Sequence, residues 1–169
     1  MKMRMGFLAA MAAMIAAPAS AGPTAENVMQ VFTEHCIDVQ PDHVALRDAA
    51  RAKGYLGLGA SALGPLGSAV GTLGLVLATG YRIETPKGDI ILAVQEFGAS
   101  NPVRKVACVL EWFGGANDTP RPGIIALFGN ATSRERDVTT WENIDGPWER
   151  LVFSFNNMGG RYSLRLEAK

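Results

Sequence analysis

Leu151-Val152-Phe153-Ser154-Phe155 and Arg161-Tyr162-Ser163-Leu164-Arg165-Leu166-Glu167, joined by Asn156-Asn157-Met158-Gly159-Gly160, decide how this chain folds. Leu151, Phe153 and Phe155 alternate with other residues in the first run, and Tyr162, Leu164 and Leu166 do so in the second. Successive side chains of a β-strand point to opposite faces, so a period of two builds one apolar face. The Asn- and Gly-rich joint supplies turn residues. These runs predict an antiparallel hairpin with one apolar and one partly polar face.

The same period extends upstream. Tyr81–Thr85 alternates, Pro86-Lys87-Gly88-Asp89 is turn chemistry, and Ile90–Phe97 is apolar on both faces in its first half, as a central strand is. Val103–Phe113 adds a strand with Val106, Cys108, Leu110 and Trp112 on one face. Arg134–Thr140 reads as a weak edge strand, and Pro122–Asn130 as a short helix. No internal repeat is present.

Before Tyr81 the period is helical. Thr24 is an N-cap candidate, and Val28, Val31, Phe32, His35 and Cys36 form one helix face. Pro41 breaks that pattern. Asp42 caps a second helix, His43–Lys53, which Gly54 ends, with Arg51 and Lys53 suited to its C-terminal dipole. Helices first and antiparallel strands afterwards give an α+β domain, with N-terminal helices packed on one face of a sheet of about five strands.

Residues 1–21 have another character. Lys2 and Arg4 precede an uncharged run from Met5 to Ala17, and Pro18-Ala19-Ser20-Ala21 ends it with small residues. A charged start, a short apolar run and an A-x-A end form a secretory signal peptide, too short to span a bilayer. Cleavage near Ala21 leaves residues 22–169 as one domain in a periplasmic or secreted location. The full chain holds 16 basic and 16 acidic residues, and a chain without a basic excess lacks the patch that nucleic acid requires.

Cys36 and Cys108 are the two cysteines. An even count in an exported chain predicts a disulfide, here from the first helix to a strand, worth roughly 4 kcal/mol in the chain-entropy view. The pattern Val31-Phe32-x3-Cys36, the Gly-ended second helix and Val106-Ala107-Cys108-Val109-Leu110 resemble a loose class of small exported bacterial proteins of unknown function. The resemblance implies a helix–sheet disulfide and an envelope location, and transfers no active site.

Residues 54–80 depart from that class as an apolar, Gly-rich insert without a charged residue. Gly67 and Gly71 form a small-xxx-small pair, so membrane contact is one reading. Pro65 and poor helix propensity favour the other, a connection packed over the sheet in water.

Chemistry-bearing motifs are sparse. Glu34, His35, Cys36, Asp38, Asp42 and His43 contain metal-ligand types, but a paired Cys36 offers no thiolate and His35 faces the core, so no metal site is assigned. With His35 and His43 the only histidines, a Ser-His-Asp triad has few ways to assemble. There is no P-loop, Gly-x-Ser-x-Gly or His-Glu-x-x-His, and no cofactor or catalytic residue is assigned. One stretch, Trp141-Glu142-Asn143-Ile144-Asp145-Gly146-Pro147-Trp148-Glu149-Arg150, sets two aromatics beside three acids. Trp141, Trp148 and Arg150 are the candidate binding residues, for a glycan, peptide or wall fragment. The leading expectation is therefore a non-enzymatic periplasmic module that binds an envelope protein or wall fragment. A small hydrolase using Glu142, Asp145 and Glu149, and a membrane-associated assembly protein acting through 54–80, are the alternatives.

Overall fold

The computed structural model describes residues 22–39, 42–63, 75–98, 105–114, 120–156 and 160–168. Residues 1–21, read from the sequence as a signal peptide, and the centre of the Gly-rich stretch, with Pro65, Gly67 and Gly71, lie outside the described residues.

Both N-terminal helices form where their caps place them. Helix α1 (Ala25–Phe32) starts at Thr24, whose hydroxyl accepts the Asn27 N–H at 3.2 Å. It runs on into a π turn, Thr33–Ile37, closed by the Asp38 N–H donating to Thr33 O at 2.9 Å. Helix α2 (His43–Lys53) is capped by Asp42, which accepts the N–H groups of Val44 and Ala45, and stops at Gly54 in the left-handed conformation.

The strands are β1 (Leu56–Gly57), β2 (Leu75–Thr85), β3 (Gly88–Phe97), β4 (Lys105–Phe113), β5 (Ser133–Glu135), β6 (Val138–Glu142), β7 (Trp148–Asn156) and β8 (Arg161–Ala168). They make one antiparallel sheet in the order β1-β2-β3-β4-β8-β7-β6-β5. A short helix α3 (Ala60–Leu63) precedes β2, and α4 (Arg121–Phe128) lies between β4 and β5. The α+β class holds, but the sheet has eight strands rather than about five. Two differences account for most of the excess. The run 134–140 folds back at Arg136-Asp137, where Arg136 has φ 47°, into the hairpin β5–β6. The Gly-rich stretch is not a plain insert: 75–80 begins β2, and Leu56–Gly57 pairs with Arg82 and Tyr81 as an edge.

One face of the sheet carries the helices. Val28, Val31, Phe32 and Leu46 share a core with Leu92, Val94, Leu110, Leu164 and Leu166. Ile124 of α4 is fully buried in the same core, and Phe128 meets Phe32 edge-on at 6.3 Å. The Cys36–Cys108 disulfide joins the π turn to β4, with Cα atoms 5.6 Å apart. Further along this face Tyr162 stacks on Trp112 at 5.5 Å and on Phe155 at 4.4 Å.

The far face is also buried. Leu63 of α3 packs on Ala93, Ala107 and Val109 there. A Cβ at Gly80 would stand 2.5 Å from Leu63 Cδ2 and 3.1 Å from Leu92 O, so glycine lets α3 close on the sheet. Gln95, Arg165 and Glu167, the polar positions of their strands, are buried beside these apolar residues.

Candidate functional site

The stretch singled out in the sequence forms the end of the β6–β7 hairpin. Trp141 pairs with Leu151 and Glu142 with Arg150, and residues 143–147 close the loop. Asn143 adopts φ 55° and Gly146 φ 90°, conformations that turn the chain sharply there. Trp148 then sits opposite Ala168 while Arg150 sits opposite Glu167, so Glu149 is an extra residue, a β-bulge. The bulge turns Trp148 to the helix face and Arg150 to the far face.

A cavity of about 530 Å³ opens on the helix side. Its apolar wall is Ile37 from the π turn, Leu127 and Phe128 from α4, and Trp141, Ile144 and Trp148. Asn130, Glu142, Asn143 and Asp145 supply its polar part, and none of its lining residues is basic. The two indoles are structural walls, 2% and 4% exposed, and Trp141 Nε1 donates to Gly129 O at 3.0 Å. A sugar ring needs an open aromatic face to stack on, and neither tryptophan presents one.

A second depression of about 360 Å³ shares Glu142 and Asn143 with the first and adds Lys105, Glu149 and Arg150. Its cations are already engaged. Lys105 Nζ reaches both Glu149 oxygens, at 2.8 and 2.6 Å. Arg150 grips Glu167 through Nε and Nη2, at 3.0–3.2 Å. Glu167 also accepts from Arg165 Nε at 2.8 Å, and Arg165 Nη1 donates to Gln95 Oε1 at 3.1 Å. The Phe97 ring lies 4.2 Å below the Arg165 guanidinium. Burial alone would raise the Glu167 pKa, but the hydrogen bonds from Arg165 and Arg150 outweigh it and hold the carboxyl below its usual value.

The two histidines line neither hollow and serve different partners. His35 is buried, with Nε2 3.2 Å from the Tyr55 hydroxyl, and burial lowers its pKa. His43 Nδ1 is 2.9 Å from Thr79 Oγ1, and its Nε2 is 3.3 Å from Glu96 Oε1. A hydroxyl, a histidine and a carboxylate thus meet, from β2, α2 and β3. The nearby N–H groups of Val44 and Ala45 are spent on Asp42, so they give no oxyanion hole to this trio. Among the described residues no group of three or more His, Cys, Asp or Glu is arranged to hold a metal, and no helix is long and apolar enough to cross a membrane.

The cavity residues outside the hairpin escaped the sequence reading: Ile37, Leu127, Phe128, Gly129 and Asn130. The available signal was in α4, where Ile124-Ile125-Ala126-Leu127-Phe128 is apolar all round. Such a helix cannot bury every side against one sheet, and Ile125 and Leu127 are left 40% and 48% exposed. No family model, curated protein or solved structure matches the chain.

Proposed function

We propose that this is an exported, non-enzymatic binding module that holds a segment of an envelope protein at the cavity beside Trp141 and Trp148. The observation that carries the reading is the continuity of that cavity with the half-exposed Leu127 on α4. An apolar hollow next to an exposed apolar helix position fits a side-chain anchor from a partner. Glu142 and Asp145 without a basic neighbour in the lining favour a partner whose anchor is flanked by Lys or Arg. The closed indole faces speak for peptide over glycan. Export rests on the leader pattern, and the disulfide is consistent with an oxidising compartment.

A photo-crosslinking residue placed at Leu127 in cells tests this, with Leu77, also exposed but on β2, as control. A discrete protein adduct from position 127, absent from position 77 and weakened by Glu142→Gln, is the expected result. No adduct, or the same adduct from both positions, rejects the reading.

The carboxylate-hydrolase reading is second, because Glu142 and Asp145 line one cavity. It requires turnover that Glu142→Gln abolishes, whereas binding to a partner requires none.

A further inference from the structure

The cavity and the charged depression meet at a shared rim. Glu142 and Asn143 line both, so a chain leaving the apolar hollow over the end of the β6–β7 hairpin enters the depression directly. The two sides differ in charge. The hollow is lined by Glu142 and Asp145 and by no cation, whereas the depression adds Lys105 and Arg150. Both cations keep capacity for a further acceptor. Arg150 spends one side of its guanidinium, Nε and Nη2, on Glu167. Its Nη1 has no partner among the described residues. Nη1 and the second hydrogen of Nη2 form an end-on fork that matches the two oxygens of a carboxylate. The buried Glu167 behind it is also held by Arg165, and Arg165 by Gln95, whose Nε2 donates to Leu63 O at 3.3 Å. Arg150 is therefore in position before a ligand arrives. Lys105 is held more loosely, by a pair with Glu149 that is exposed on both sides. Such a pair adds little stability in water, so the ammonium is readily shared with an incoming anion.

We propose that the depression is a carboxylate subsite of the same docking surface: a partner segment anchored in the cavity crosses Glu142 and Asn143 and lays an Asp or Glu side chain on Arg150 and Lys105. The inference rests on the binding reading and sharpens its partner. The segment carries an apolar residue for the hollow, a basic residue at the Glu142 rim and an acidic residue beyond it. The bulge at Glu149 is what allows this arrangement. It sends Trp148 to the helix face and Arg150 to the far face, so the anchor and the carboxylate are read on opposite sides of one hairpin. No covalent bond changes. Lys105 shares or leaves Glu149 for the ligand, and Arg150 keeps Glu167 while its open fork takes up the new acceptor.

The test places a photo-crosslinking residue in the full chain, in cells, at Leu127 or at Glu149, whose replacement leaves both cations in the depression. Mass spectrometry then sequences the crosslinked peptides. The expected result is one partner segment from both positions, with an Asp or Glu at or beside the residues joined at 149. In the chain labelled at 127, Lys105→Glu should reduce the adduct by about threefold or more. Arg82→Glu, an exposed charge reversal on β2, should leave it unchanged. Lys105→Gln, a milder change at the same exposed position, should give a smaller loss in the same direction. An adduct from 127 without one from 149, a captured segment lacking an acidic residue, or equal effects of the reversals at Lys105 and Arg82 overturns the inference and leaves the cavity reading in place. Absence of any adduct at 127 removes the cavity reading and the inference together.

Discussion

Trp148 and Arg150 stand two residues apart on β7 and look to opposite sides of the sheet, Trp148 opposite Ala168 in the helix-covered core and Arg150 opposite Glu167 on the far face. A regular strand would put them on one face. The bulge at Glu149 separates them, and with them the apolar cavity from the charged depression.

The two positions should therefore respond differently to truncation. Trp148→Ala removes a large core side chain, 4% exposed, and should cost about 3–5 kcal/mol in urea unfolding. Arg150→Ala leaves Glu167 paired with Arg165, and the Arg150 side chain is 35% exposed, so its loss should be distinctly smaller.

The Arg165–Glu167 pair is buried on both sides, with side chains 7% and 8% exposed. Arg165→Met strips Glu167 of one of its two arginines and Gln95 of a donor, and should cost about 1–3 kcal/mol. The double variant Arg165→Met/Glu167→Leu removes the buried charge as well as its partner. It should cost less than the single, a non-additivity that a double-mutant cycle in urea measures directly.

Acid should weaken the fold in two stages. His35 has its pKa lowered from 6.5, first by burial and then by Lys53, so the folded state prefers the neutral ring. The unfolded chain takes the proton first, and this contribution is complete above pH 6.5 and falls away as the pH drops towards the folded value. Glu167 has its pKa held below 4.5 against burial, by its two arginines, so its contribution is present above pH 4.5 and is lost as the pH falls through the lower folded value. His35→Gln, which does not titrate, should flatten the first limb in urea melts taken across the pH range and leave the second.

The disulfide ties residues 72 apart in sequence. Cys36→Ala/Cys108→Ala should lose about 4 kcal/mol, chiefly by releasing the unfolded chain, with allowance for the two sulfur atoms removed from a fully buried site. A stability change near zero in calorimetry would show that α1 is held by packing alone.

The amino-acid sequence by itself determined what depends on near neighbours. The caps at Thr24, Asp42 and Gly54 and the periods of β3, β4, β7 and β8 are local, because hydrogen bonds and side-chain direction repeat within a few residues. The Cys36–Cys108 pairing was legible too, since only two cysteines were available. Tertiary structure decided the rest. Ala78–Gly80 reads as linker until Leu63 closes over Gly80, and Leu56–Gly57 is a strand only because β2 offers it an edge. Arg165 and Glu167, spaced like solvent-facing residues, are buried because the far face is enclosed and each finds an opposite charge. The cavity shows the same division: Trp141 and Trp148 are near one another in sequence, but Ile37 and Leu127 reach them only through the packing of the π turn and α4. Contacts between residues distant along the chain leave no periodic trace in it, and these contacts shape the candidate site.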